Sequence, residues 1–460
     1  MKIIAHKLYL YLLIAGIFTL TFPISKAEEY VITEENLHQP PVQEKSLKNK
    51  SSLKSDAGGI NKASTLSDLL AYAAIHNPEL KSQWLKWRAA VQEIDSARAF
   101  PDPKLSYTYY VENVETRVGP QEQKISLMQK IPWFGKRKLR GEKATKTAEA
   151  KYQKYEQLKL NLFFKVKDVY YDYYYLLQAI EITRENIELL KQLESVARTQ
   201  YEGGGNMSPV VRAQVELGKL EDRLQSLKDT KRPIAARLNA TLNRAPDAEL
   251  PTPESIPEGE SLPPEPELRN ILAQKNPSLK RLDALTEKAD KAVDLSEKQY
   301  FPDVSLGVSY VDTGSAVMSG LDESGKDPLM AMVSINLPIW QSKYDADKHA
   351  AIKRREAAEQ QHWNTRRRLE SQLSQAVFKY KDAERKIDLY RDTLIPKAEQ
   401  ELNVSRQAFE SGDADFLNLI DAERSLLQFK LSYEQARAER ERQIAKIEKL
   451  IGKPTDTLQK

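Results

Sequence analysis

The chain is 460 residues long, with 30% charged residues, 8% aromatic residues that are mostly tyrosine, no cysteine and a net charge of +4. So small a charge for this length gives no argument for a nucleic-acid partner, and none is expected. Without cysteine there is no disulfide framework and no thiol nucleophile, while the abundance of charge suits long helices with wet faces better than one compact core.

Residues 1–27 read as an export signal: Lys2 and Lys7 supply the positive region, Leu8 to Ile24 the apolar run, and Ser25-Lys26-Ala27 a small-x-small cleavage site. No cysteine follows to carry a lipid, and no later apolar run has the length of a membrane helix, so a membrane crossing by the mature chain has to use strands. Residues 28–64 are polar and aperiodic, a flexible lead.

A first repeat is expected over 65–246. Thr65 or Ser67 starts a helix that breaks near Asn77-Pro78, and a second helix ends at Phe100-Pro101-Asp102. Alternation then predicts strands over about 104–112 and 123–131, forming a hairpin. The second strand stops at Pro132-Trp133, and Lys136 opens a helix running to about Tyr201, roughly 100 Å at 1.5 Å per residue. Along it Leu162, Val166, Val169, Tyr173, Leu176, Ile180, Thr183 and Ile187 follow steps of four and three, a coiled-coil-like seam. Gly203-Gly204-Gly205 turns the chain, which returns antiparallel to Leu242.

Residues 247–267 are rich in Pro and Glu, a linker by composition. The order then replays over 268–454. Asn276-Pro277 answers Asn77-Pro78, Phe301-Pro302-Asp303 answers Phe100-Pro101-Asp102, and strands are expected over about 303–311 and 329–337. Pro338 and Trp340 match Pro132 and Trp133, and a second seam runs through Leu369, Leu373, Ala376, Tyr380, Ala383, Ile387, Tyr390 and Leu394. Pro396 removes a backbone donor and is expected to kink or interrupt the second long helix. A turn at Ser411-Gly412 and a last helix ending near Gly452 complete the repeat, leaving a tail at 455–460. The fold class is therefore α+β, mainly α, a duplicated unit of helix, β-hairpin and long helical hairpin.

Four strands with one apolar and one mixed face match the length and pattern of strands that cross a bilayer around a wet lumen. Four strands cannot close, and exposed sheet edges are forbidden in lipid, so several copies have to share one barrel. In its whole repeated layout, from about Thr65 to Pro454, the chain resembles the outer-membrane efflux proteins of the TolC family, the exit ducts of tripartite pumps and type I secretion systems. The resemblance implies a homotrimer with a twelve-stranded barrel continued by a helical tunnel, located in the outer membrane with a periplasmic extension. It implies a passive channel, not an enzyme and without a cofactor. Its partners are a periplasmic adaptor, an inner-membrane pump of RND type and outer-membrane lipids. Ile131-Pro132-Trp133-Phe134-Gly135-Lys136 is similar to the strand-to-helix corner of heavy-metal members.

Tyr201-Glu202-x-Gly204 and Phe409-Glu410-x-Gly412 match the family's aromatic-x-x-Gly pattern, which implies that the turns at Gly203, Gly204, Gly205 and at Ser411, Gly412 are tips that meet the adaptor; glycine used only to turn the chain is the alternative. Asn418, Asp421 and Ala422 stand where members have Asp-x-x-Asp-Ala, so the resemblance implies a weakened carboxylate ring at the gate, with Asp413 and Asp415 nearer the tip. Three copies of Asp421 around a pore would attract cations; a solvated carboxylate at a helix start is the plain reading. Trp133 and Trp340 suit an aromatic belt at the membrane interface or a packing cap on the barrel rim. Lys136, Arg137, Lys138 and Arg140 lie beyond that corner, within reach of lipid phosphates or simply solvated. Met128, Met330 and Met332 fall on the wet strand face, thinkable as soft-metal ligands and more simply lumen filling. Two rivals stay open: a periplasmic coiled-coil scaffold or adaptor without channel activity, and a cell-wall enzyme with helical arms.

Overall fold

The computed structural model describes residues 60–454 apart from 62, 254–255, 257–261, 319, 321 and 412–414. The export signal, most of the polar lead, the C-terminal tail, Gly412 and Asp413 therefore lie outside the described residues. In chain order the described elements are α1 (Leu66–His76), α2 (Pro78–Arg98), β1 (Lys104–Thr116), β2 (Gly119–Ile131), α3 (Lys136–Glu202) and α4 (Ser208–Thr241). They continue with α5 (Glu265–Lys275), α6 (Pro277–Lys298), β3 (Val304–Thr313), β4 (Leu329–Ile335), α7 (Gln341–Leu389), a π-helical turn (Tyr390–Leu394), α8 (Ile395–Ser411) and α9 (Phe416–Ile451).

The duplicated Asn-Pro landmarks are helix restarts built the same way. Asn77 Oδ1 accepts the Leu80 N–H at 2.8 Å, and Asn276 Oδ1 accepts those of Ser278 and Leu279 at 2.8 and 3.2 Å. In each case proline takes the first helical position, where its missing donor costs nothing. Thr65 opens α1 with a reciprocal capping box: its hydroxyl accepts the Asp68 N–H, and the Asp68 carboxylate accepts the Thr65 N–H at 2.8 Å.

All eight residues of the first seam are buried in α3. The second seam is buried only as far as Ile387; Tyr390 and Leu394 are half-exposed. The cause is the π turn, which sits just before Pro396 and inserts an extra residue into the helical repeat, rotating the seam out of register. Burial resumes at Ala398, Leu402 and Phe409. Pro233, which the periodicity did not flag, lies inside α4 without ending it.

The four strands form one antiparallel sheet in the order β1-β2-β3-β4. Its register lines up Leu105, Leu127, Val308 and Ala331 across the sheet, and Tyr107, Ile125, Tyr310 and Leu329 in the next row, so a single apolar face is shared by all four strands. That face is open: Leu105 is 69% exposed and Val333 71%. β1 and β2 run four residues past the expected ends at Val111–Glu112 and Gln123, joined by only Arg117 and Val118, with a bulge between Tyr109 and Val114. β4 ends at Ile335, two residues short of the expected 337. Gly119 has φ +133°, and a Cβ there would stand 1.8 Å from the Gly314 carbonyl oxygen, so only glycine lets the two outer loops close. Hydrogen bonds from Gly314 N–H to the Pro120 carbonyl and from Gly325 N–H to the Val118 carbonyl, both 2.7 Å, fasten them.

Near the sheet, α2 packs on α3, α3 on α6 and α6 on α7; toward the turns, α4 packs on α3, α3 on α9 and α9 on α8. Ile256 of the linker is docked onto the helices between these two regions. Ile256 is buried against Tyr174 and Ala438, and Arg437 donates to its carbonyl.

Candidate functional site

Two regions carry the polar residues singled out from the sequence: the helical turns, and the corner between strands and long helices. At the first turn the Gly203, Gly204 and Gly205 N–H groups donate to Thr199, Tyr201 and Gln200 carbonyls at 3.1, 3.0 and 3.0 Å. Gly204 has φ +97°, a left-handed conformation that explains one of the three glycines. Tyr201 is 44% exposed beside this turn. Phe409, its counterpart in the second repeat, is buried, with its ring 5.1 Å from that of Phe416. The two aromatic-x-x-Gly positions are thus not equivalent: one offers a ring to solvent, the other packs its own hairpin. Gln200 ties the hairpins together by donating to the Phe409 carbonyl at 2.8 Å.

Asp415 caps α9, its carboxylate accepting the Leu417 N–H at 3.3 Å. Asp415, Asn418 and Asp421 are spaced by three and all exposed, so the first turns of α9 present them on one face. Asp421 is not a bare carboxylate, because Arg424 Nη1 donates to it at 3.3 Å. The same guanidinium grips Glu216 of α4 with two further bonds, Nε to Oε1 at 3.0 Å and Nη2 to Oε2 at 2.6 Å. These bonds hold the Glu216 carboxyl below its usual range. One position earlier, Glu423 is only 1% exposed and accepts from the Asn186 side chain of α3, while its Oε2 is buried without a partner. Burial, reinforced by the Glu216 charge and opposed by Asn186 and Arg424, pushes the Glu423 carboxyl up to about 7.

Neither clasp was visible in the sequence, since the partners lie 208 and 237 residues apart. The available signal was a carboxylate, Glu423, on the apolar stripe between Ala422 and Leu426. The second helical hairpin is therefore pinned to the first by polar contacts set within the apolar cluster of α3, α4, α8 and α9 close to the turn.

At the corner, Trp133 stacks on Phe301 with centroids 5.5 Å apart and planes 9° off parallel. Trp340 is 72% exposed. The two tryptophans thus differ, one stacked on a neighbouring ring and one open. Lys136 departs from expectation: it is no solvated helix start but 1% exposed, its ammonium donating to Asp303 Oδ1 at 2.7 Å and to the Phe301 carbonyl at 2.9 Å. Asp303 also accepts the Trp133 N–H at 3.0 Å and the Lys130 ammonium at 3.1 Å. One buried carboxylate therefore joins the end of β2 to the start of β3.

Met128 and Met332 stand opposite Gly307 from either side, and Met330 lies opposite Ser309, so all three share the face away from the apolar rows. A Cβ on Gly307 would meet Met332 Cε at 3.5 Å and Met128 Cβ at 3.8 Å; the thioether chains fill the space glycine leaves. Among the described residues no three His, Cys, Asp or Glu side chains group to hold a metal. No described helix is long and apolar enough to cross a membrane.

The family model for outer membrane efflux proteins matches residues 69–244 and 268–453, one segment per repeat. The chain is 23% identical over 407 residues, 85% of its length and 90% of the relative's, to the cobalt-zinc-cadmium resistance protein CzcC of Cupriavidus metallidurans. In fold it is similar to CusC, with TM-score 0.72, 16% identity and coverage of 87% of this chain and 96% of that one. It is also similar to VceC of Vibrio cholerae, with TM-score 0.69, 17% identity and coverage of 85% and 96%. A match across both repeats, on a sheet that needs lipid on one face and helices that leave it at one end, has one outcome. The chain belongs to the outer membrane efflux protein family, and is a non-enzymatic outer-membrane channel of a tripartite efflux system with a helical periplasmic extension.

Proposed function

We propose that this channel is a homotrimeric, passive, gated duct serving a heavy-metal RND-type pump through a periplasmic adaptor. The observation that carries the trimer is the state of its edges. β1 and β4 each have an unpaired side, and the helices flanking the wall leave apolar side chains open, Leu85 on α2 and Phe378 on α7, and Val215 on α4 and Val404 on α8 toward the turns. Every first-repeat edge thus has a second-repeat counterpart for the next copy to meet, the arrangement of a head-to-tail ring. The chain has no native cysteine, which makes the test clean. Cysteine pairs placed across β1 and β4, such as Ser106→Cys with Ser334→Cys and neighbouring registers, are expected to give covalent trimers; crosslinks confined to dimers would contradict the ring.

In this reading the turns at Gly203–Gly205 and Ser411 meet the adaptor, with Tyr201 offering the exposed ring. Asp415, Asn418 and Asp421 line the entrance, and the Arg424–Glu216 and Asn186–Glu423 clasps hold it closed until the adaptor favours the open packing. The cargo class is supported by the name of the relative CzcC and by the Pro132-Trp133-Phe134-Gly135 corner. A deletion strain is expected to become sensitive to divalent cobalt, zinc or cadmium; sensitivity to lipophilic drugs alone would assign the duct to another pump.

A further inference from the structure

Below the open apolar face of the sheet, three cations rest on aromatic rings. The Arg137 guanidinium lies 3.4 Å from the centroid of Phe100, the Lys298 ammonium 5.4 Å from Phe301, and the Lys343 ammonium 5.4 Å from Tyr344. Two of these rings belong to one collar, because Phe301 stacks on Trp133 and the adjacent Tyr300 lies 5.6 Å from Tyr344, and Phe100 holds the place in the first repeat that Phe301 holds in the second. Among the described residues none of the three cations pairs with a carboxylate. Three nearby acids have other partners, Asp303 in Lys136 and Lys130, Glu297 in Lys348, and Asp345 in the Tyr300 hydroxyl. The exposed apolar band continues past the strands into Phe134, 84% exposed, and Trp340. An apolar band ending in aromatic rings that carry unpaired cations meets the depth where acyl chains give way to headgroups.

We propose that this collar is a binding site for the phosphate of anionic phospholipids in the leaflet facing the periplasm. The proposal rests on the outer-membrane location of the channel. Each ring holds its cation by cation–π attraction without neutralising it, so a phosphodiester can accept charge-assisted hydrogen bonds there at little ordering cost. Because the cations come from both repeats, a closed ring would repeat the set around its circumference.

The test is native mass spectrometry of the detergent-solubilised full channel equilibrated with mixed phosphatidylglycerol and phosphatidylcholine. Wild type is expected to retain phosphatidylglycerol in about tenfold preference, a value set by a few screened surface cations. The triple variant Arg137→Gln, Lys298→Gln, Lys343→Gln is expected to retain the two lipids equally. A control with Lys228→Gln and Lys231→Gln on α4 should keep the preference, as should the charge-conserving Lys298→Arg, Lys343→Arg variant, which guards against a folding artefact. Equal retention of the two lipids by wild type overturns the proposal, as does complete displacement of phosphatidylglycerol by millimolar inorganic phosphate. Wild type that retains neither lipid would instead count against membrane insertion itself.

Discussion

Glu423 gives the gate region a pH dependence whose sign and size follow from its burial. In the packed state its carboxyl is pushed up to about 7 by desolvation, against an ordinary 4.5. When the start of α9 separates from α3 the group is rehydrated and its affinity for a proton falls. Between those two values the separated state binds fewer protons than the packed one, so the packed state loses stability as pH rises from about 4.5 through 7. Over pH 5 to 8 the free energy of local opening is expected to fall by about 2–3 kcal/mol, at 1.36 kcal/mol for each unit. The Glu216 clasp works the other way but lower: its carboxyl is held below the ordinary value, so that stabilisation is lost only as pH falls through the lowered value. Hydrogen exchange of the α9 amides from Phe416 to Gln428, corrected for intrinsic rates, reads the opening directly. Wild type should show protection falling toward alkaline pH, and Glu423→Gln should flatten the profile. A flat wild-type profile, or an equal slope in the variant, would refute the assignment.

Other consequences are as direct. Lys136→Met leaves the buried Asp303 carboxylate with the Trp133 N–H and, as its one cation, the half-exposed Lys130. The loss is expected to be about 3 kcal/mol, seen as a lower denaturant midpoint, and smaller when Asp303→Asn accompanies it. Gly119→Ala sets a methyl against the Gly314 carbonyl at a positive φ, so about 1–3 kcal/mol of strain and a lower yield of assembled channel are expected. Asp421→Ala is expected to weaken cation preference in single-channel recordings; unchanged reversal potentials would remove Asp421 from the pore.

Periodicity made the long elements legible. Steps of four and three fixed the burial of Leu162 to Ile187, and alternation gave four strands whose apolar residues do share one face. The repeated Asn-Pro pairs were legible as breaks because a cap and an N1 proline are local chemistry. What escaped depends on pairs far apart in the chain. Lys136 reads as a surface lysine until Asp303 is brought beneath it, and Arg424 as an ordinary helix cation until Glu216 lies across from it. The end of the second seam failed for a subtler reason: a proline signals an interruption, but not that a π turn upstream will swing Tyr390 and Leu394 off the buried face. Phe409 and Tyr201 share a motif and differ in exposure, because Phe416 packs against the first, while among the described residues no ring packs against the second.

The ring can be counted. Native mass spectrometry of detergent-purified protein, followed by planar-bilayer recording of the same particles, is expected to find three chains per particle and a conducting pore. Particles of one chain that leave the bilayer silent would contradict it.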